Sequence, residues 1–361
     1  MATITDTPTV RRASNLNWVD VILNVLRVLI IALIIIGASN TLLSGRFTFE
    51  QWVTLFIAGL AQGSIYALIA LGYTLVYGIL LMINFAHGEV FMAGAFTTVF
   101  LAKSMASSGF LDAQPILAFI LLLMFGGLVS MTVAVLLERI AYRPLRNSPR
   151  LVPLITAIGA SFFLQYTFRG FYGSSFQAYP TFSILSGSIQ LGTVNIPIVQ
   201  VFVFVMALIL MAGLYYLVER TKIGKAMRAV SENKQNARLM GINVDLIILF
   251  TFAIGGALAG AAGVINGVFR PQGVNFFMGF IPGIKAFTAA VLGGIGSIPG
   301  AMFGGLLLGV IEAIGPNLVL IGLGIPGANQ LRDLIAFGML VLILIFRPQG
   351  LLGEKLAEKK A

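Results

Sequence analysis

"GILLMINFAHGEVFMAGA", residues 78–95, interrupts a long apolar run with Asn84, His87 and Glu89, and His87 is the single histidine of the chain. The flanking apolar residues are continuous rather than alternating. That pattern suits a buried or membrane-spanning helix and not the period-two strands of a barrel. Hydrocarbon offers no hydrogen-bond partner, so polar groups inside such a run must face protein or a cavity. The stretch therefore reads as a broken helix, and the fold follows from asking how many similar runs surround it.

The 361 residues are 58% hydrophobic and 10% charged, with a mean hydropathy of +0.98. Soluble domains carry about 25% charged residues. Several runs reach the roughly 20 residues that cross ~30 Å of hydrocarbon. The candidate spans are 19–41, 51–70, 72–103 (broken near 84–89), 116–138, 151–171, 197–218, 246–268, 283–297, 300–322 and 330–346. The expected fold is all-α and polytopic, with about ten transmembrane helices, interrupted helices in both halves and both termini cytoplasmic. Residues 1–18 form an N-terminal tail, 19–346 one membrane domain and 347–361 a C-terminal tail. The first apolar run is too long for a signal-peptide core and is read as a retained helix, with Arg27 snorkelling to the interface.

Charge supports this count. Sixteen of the 23 Lys and Arg fall in the N-terminal tail, 139–150, 219–245 and the C-terminal tail. Ten spans place all four segments on one side, the cytoplasmic one by the positive-inside rule. Residues 172–196 carry no charge and read as an external loop with a small hairpin at "IQLGTVNI". The net charge of +10 is thereby a topological signal, with no soluble basic domain for nucleic acid. The absence of cysteine and the single histidine exclude thiolate and multi-histidine metal sites and a cysteine nucleophile. No catalytic constellation is evident.

Three stretches could carry function. In 83–90, a helical reading puts Asn84, His87 and Gly88 on one side. A polar cluster pinning helices, a lining or hinge of a solute path, and a proton relay through His87 and Glu89 all remain open. The glycine-rich "AVLGGIGSIPGAMFGG", residues 290–305, echoes that break in the second half, and paired interruptions point to a transport site. Close helix packing is the alternative reading. In 219–245, Ala226, Val230, Asn233, Ala237 and Met240 fall within about a quarter-turn of one helix. One short amphipathic cytoplasmic helix is expected, capped near Gly241. Its small residues suit docking into a partner groove better than lying on lipid. Glu312 is either a helix–helix hydrogen-bond partner or a path-lining group, Lys285 lies near the start of its span, and Arg332 and Asp333 are interfacial. No nucleotide-binding G-x-x-x-x-G-K-[ST] is present, so ATP, if used, is bound by another chain, and no cofactor is expected here.

"ALGYTLVYGILLMINFAHGEVFMAGAF" at 70–96 resembles the membrane permeases of branched-chain amino-acid ABC importers, and the H-type subunit in particular. "TKIGKAMRAVSENKQNARLMGINVDLIILFTFAIGGALAGAAGVI" at 221–265, "KAFTAAVLGGIGSIPGAMFGGLLLGVIE" at 285–312 and "FRPQGLLGE" at 346–354 are also similar. The resemblance covers about 52–354. It implies a second permease, two cytoplasmic ATPases and an extracytoplasmic solute-binding protein as partners, in a bacterial or archaeal plasma membrane. It implies ATPase coupling at 231–243, through Glu232, Asn233, Ala237 and Gly241, and a translocation path near Asn84, His87, Gly88, Glu89, Gly293, Gly294 and Gly296. Rivals are a urea or short-amide permease of the same family, a proton-coupled secondary transporter, and a membrane scaffold that docks partners through 219–245.

Overall fold

The computed structural model describes residues 18–146, 148–149, 151–347 and 349–353. Most of the two tails expected from the sequence, with Arg11, Arg12, Lys355, Lys359 and Lys360, lies outside them, as does Arg150. The elements run α1 Trp18–Leu43, α2 Phe49–Leu80, α3 His87–Ser107, α4 Phe110–Ala113, α5 Pro115–Leu137, α6 Leu151–Tyr172, β1 Ser188–Leu191, β2 Val194–Pro197 and α7 Ile198–Arg220. They continue with α8 Lys222–Glu232, α9 Lys234–Leu239, α10 Val244–Phe269, α11 Phe280–Gly293, α12 Ile298–Gly315 and α13 Arg332–Phe346. Among the described residues nine helices are long and apolar enough to cross a membrane, and α11 is a tenth, shorter apolar helix.

The broken helix is real, with its boundaries moved. Residues 51–70 and the first part of 72–103 form one helix, α2, of 32 residues, about 48 Å at ~1.5 Å per residue. Thr48 starts it with a reciprocal capping box to Gln51. The chain leaves it at Leu81, the one non-glycine residue with positive φ (56°) among those described, a conformation that costs an L-residue ~1–2 kcal/mol. Gly72 does not end the helix. The non-helical passage is 81–86, and α3 starts at His87.

The core is made by bare backbones in contact. α12 lies antiparallel on α2, where a Cβ on Gly63 would stand 2.8 Å from the carbonyl oxygens of Gly305 and Leu306. α5 and α10 meet in the same way at Gly126 and Gly260. With no water to expel between helices in lipid, such close approach supplies dispersion that larger residues would forbid. α11 spans only about 21 Å at ~1.5 Å per residue, because 270–279 enters as non-helical chain. It stops at Gly294 (φ 106°), short of the expected 297.

Outside the bundle, β1 and β2 form the expected hairpin, with Ile189 opposite Ile196 and Leu191 opposite Val194. Gly192, at φ 64°, supplies the left-handed position of its two-residue turn. Gln177 bridges to Val274, tying this loop to the entry of α11. α1 touches the rest through Gly37 against Val319 and Gly322, and Asn40 Nδ2 donates to the Gly322 carbonyl at 3.2 Å.

Candidate functional site

The four polar or small residues of the α2–α3 break do not share one face. Residues 84–86 precede the helix, so the i, i+3, i+4 projection from Asn84 does not apply. Asn84 Oδ1 accepts from the Tyr142 hydroxyl at 2.5 Å, while its carbonyl accepts from His87 N–H. The imidazole of His87 is buried and stands edge-on to Tyr73, ring centroids 4.9 Å apart. It occupies a notch left by two absent side chains: a Cβ on Gly72 would collide with Nε2 and Cε1, and Gly255 lies beyond. Its Nε2 has no hydrogen-bond partner among the described residues.

Gly88 meets Gly279 and Gly283 backbone to backbone, and a Cβ there would collide with the Gly279 carbonyl. The α2–α3 break therefore touches the start of α11 directly, at Gly279 and Gly283, and not the 290–305 interruption that echoes it in the sequence. Glu89, fully buried, accepts from Gln165 Nε2 at 2.7 Å and Ser161 Oγ at 3.3 Å on α6. No cation pairs with it among the described residues, and no hydrogen bond joins it to His87. The break thus stitches α5's end, α2, α10, α11 and α6 together.

The second-half glycines have a different neighbour. A Cβ on Gly293 would collide with the Gly300 carbonyl, and one on Gly294 with Gly353. Leu351 N–H donates to the Leu292 carbonyl at 2.8 Å and Leu352 N–H to that of Gly293 at 2.9 Å. The tail 349–353 therefore caps the free carbonyls at the end of α11. Gly296, at φ 100°, completes the turn into α12. Away from that turn, nearer the start of α11, Lys285 pairs with Glu312 at 2.7 Å and Asp333 at 2.6 Å. Glu312 is thus a helix–helix partner joining α12 to α11, and Asp333 extends the cluster to α13.

The charged segment 219–245 is two helices, where one was expected. Asn233 (φ −157°) ends α8, and its Oδ1 accepts from Gln235 and Asn236 N–H to start α9. After Met240 the chain closes a Schellman motif, Ile242 N–H to the Ala237 carbonyl and Gly241 N–H to that of Arg238, with Gly241 at φ 80°. The joint breaks the projected stripe. Val230 and Ala237 (3% exposed) point into the protein, while Leu239 and Met240 stand 86% and 82% exposed. Glu232 is exposed at the joint. Arg146 joins Glu138 and Asp245 and so ties the end of α5 to the start of α10. Burial, with Arg146 and Arg238 alongside, holds Lys234 below the usual lysine range.

Sequence reasoning passed over Tyr73, Tyr142, Ser161, Gln165, Gly72, Gly255 and Gly279. Each acts only through a neighbour distant in sequence, and a lone glycine in an apolar run carries no linear signal. A family model described as "Branched-chain amino acid transport system / permease component" matches residues 55–344, which leaves α1 ahead of the match. The high-affinity branched-chain amino acid transport system permease protein BraD of Pseudomonas aeruginosa is 46% identical over 84% of this chain and 96% of its own. The corresponding LivH protein of Escherichia coli is 40% identical over 83% and 95%.

Proposed function

The chain belongs to the branched-chain amino acid transport system permease family, and from that premise we propose that it is a membrane-spanning subunit of an ATP-driven importer of branched-chain or similar small neutral amino acids. Its partners are a second permease, two cytoplasmic ATPases and an extracytoplasmic solute-binding protein. The observation that carries this reading is the 46% identity maintained over 96% of a branched-chain permease.

The membrane helices alternate in direction, which puts 138–146, 148–149, 221–243, 294–297 and 349–353 at one end of the bundle. The basic residues gathered there assign that end to the cytoplasm. The ATPases dock on α8 and α9, with Leu239 and Met240 as exposed apolar knobs beside Glu232, and with Asn233, Ala237 and Gly241 holding the shape of the segment. Solute passes where the α2–α3 break meets the start of α11, around Asn84, His87, Gly88 and Glu89. Gly293, Gly294 and Gly296 support that path from the foot of α11.

Uptake of labelled leucine by cells carrying the whole system tests the proposal. Uptake that stops when the ATPase genes are deleted is the expected result. Uptake that survives their deletion and collapses with a proton uncoupler would overturn it in favour of a proton-coupled carrier. Transport of urea without leucine would move the chain to the amide branch of the family.

A further inference from the structure

We propose that Asn266, with Gln62, forms a solute-binding point of the translocation path and takes the ammonium–carboxylate group of a zwitterionic amino acid. The inference rests on the permease reading and adds a site to it.

Asn266 lies near the end of α10 and is 1% exposed, and both its Nδ2 and its Oδ1 lack a hydrogen-bond partner among the described residues. Among the described residues no other buried amide or acid leaves both ends unpartnered. Gln62 on α2 leaves its buried Nε2 unpartnered as well. Buried polar groups in native proteins are satisfied as a rule, and an orphan calls for an explanation such as a missing partner molecule. An orphan carboxamide is a larger anomaly within a membrane helix, where no bulk water competes.

The helix geometry brings the two amides to one level. Gly255 of α10 faces Gly72 of α2, with a Cβ on Gly255 lying 3.5 Å from Gly72 Cα. Asn266 follows Gly255 by eleven residues, ~1100° or about 20° past three full turns. It is therefore on the face of α10 that meets α2. The two helices run in opposite directions, so the same rise, ~16 Å, leads down α2 from Gly72 to Ala61, and Gln62 lies at that level about 80° round the helix. Arg270 follows Asn266 by one turn at i+4. It is part-buried and makes no ion pair among the described residues.

The chemistry follows from the donor and acceptor inventory. Asn266 Oδ1 accepts from an ammonium, while Asn266 Nδ2 and Gln62 Nε2 donate to a carboxylate. Arg270 adds a cation suited to the carboxylate at the outer end.

The test uses the complete importer in cells lacking other leucine carriers, with Asn266→Leu and Gln62→Leu. Labelled leucine and labelled urea are the probes, and melting temperature and co-purification of the partners are read alongside. Because Asn266 makes no side-chain hydrogen bond within the fold, Asn266→Leu is expected to assemble and to melt no lower than wild type, with leucine uptake at least tenfold reduced. Uptake within twofold of wild type in both variants overturns the proposal. So does loss of uptake together with assembly or melting temperature, which would make Asn266 a structural group. Wild-type uptake of urea without leucine overturns the zwitterion and also the branched-chain reading. Normal wild-type leucine uptake keeps that reading whatever the variants do.

Discussion

Replacing Gly72 with alanine tests whether His87 is a wedge held by absent side chains. The new Cβ would sit less than 3.0 Å from both Nε2 and Cε1 of His87. Ordinary carbon contacts lie at ~3.5–4.0 Å, so the imidazole must retreat by about an ångström. Tyr73, 4.9 Å away ring to ring, and the α10 backbone at Gly255 leave it no vacant side. Overpacking of this kind costs ~1–3 kcal/mol. Alanine's better helix propensity returns up to ~1 kcal/mol, so steric strain wins, by a net ~0.5–2 kcal/mol. The purified protein should therefore melt lower by up to a few degrees. His87→Ala removes the obstacle. In the Gly72→Ala/His87→Ala double variant the strain disappears while the propensity gain remains, and the two changes should couple favourably by ~1–3 kcal/mol in a double-mutant cycle. Additive losses, or a Gly72→Ala protein as stable as wild type, would show that the imidazole does not occupy the notch.

Three further outcomes follow from the same contacts. Lys285→Met leaves the buried Glu312 without its cation and should cost ~3–5 kcal/mol, seen as a lowered melting temperature that Lys285→Met/Glu312→Gln partly restores; an unchanged single variant would place the pair outside the core. Leu239→Asp should abolish co-purification of the ATPases with the melting temperature intact, whereas Ala237→Glu, which buries a charge, should lower the melting temperature as well; the reverse pattern would exchange the outward and inward faces assigned to α9. Gly294→Leu forces a side chain into a φ of 106° and into the tail at Gly353, so limited proteolysis should cut the C-terminal tail faster than in wild type, and an unchanged cleavage rate would detach the tail from this turn.

Much of the architecture was legible in the linear order because lipid imposes one-dimensional rules. The apolar runs, the clustering of Lys and Arg, the existence of a break before His87, the hairpin at 188–197 and the glycine cap at Gly241 all depend on residues close in sequence. The candidate sites were legible only as motifs. Asn84, His87, Gly88 and Glu89 were recognisable as a set, but each turned out to have a different neighbour. The projected stripe through Ala237 failed because Asn233, with its own cap, restarts the helix and changes its phase. Gly294 reads as one more small residue until the tail is seen lying on it.

By itself, then, the sequence determined a predominantly helical membrane protein, its apolar helices and the presence of a break ahead of His87, because hydrophobic length and local backbone preference act residue by residue. Only the tertiary structure decided that the break after Leu81 meets the start of α11 at Gly88 and Gly279. It also decided that Gly72 and Gly255 make room for His87, that Glu89 holds α6, and that Asn266 is left without a hydrogen-bond partner among the described residues. Those facts depend on which backbones approach across long sequence separations, and that is fixed by the packing of whole helices.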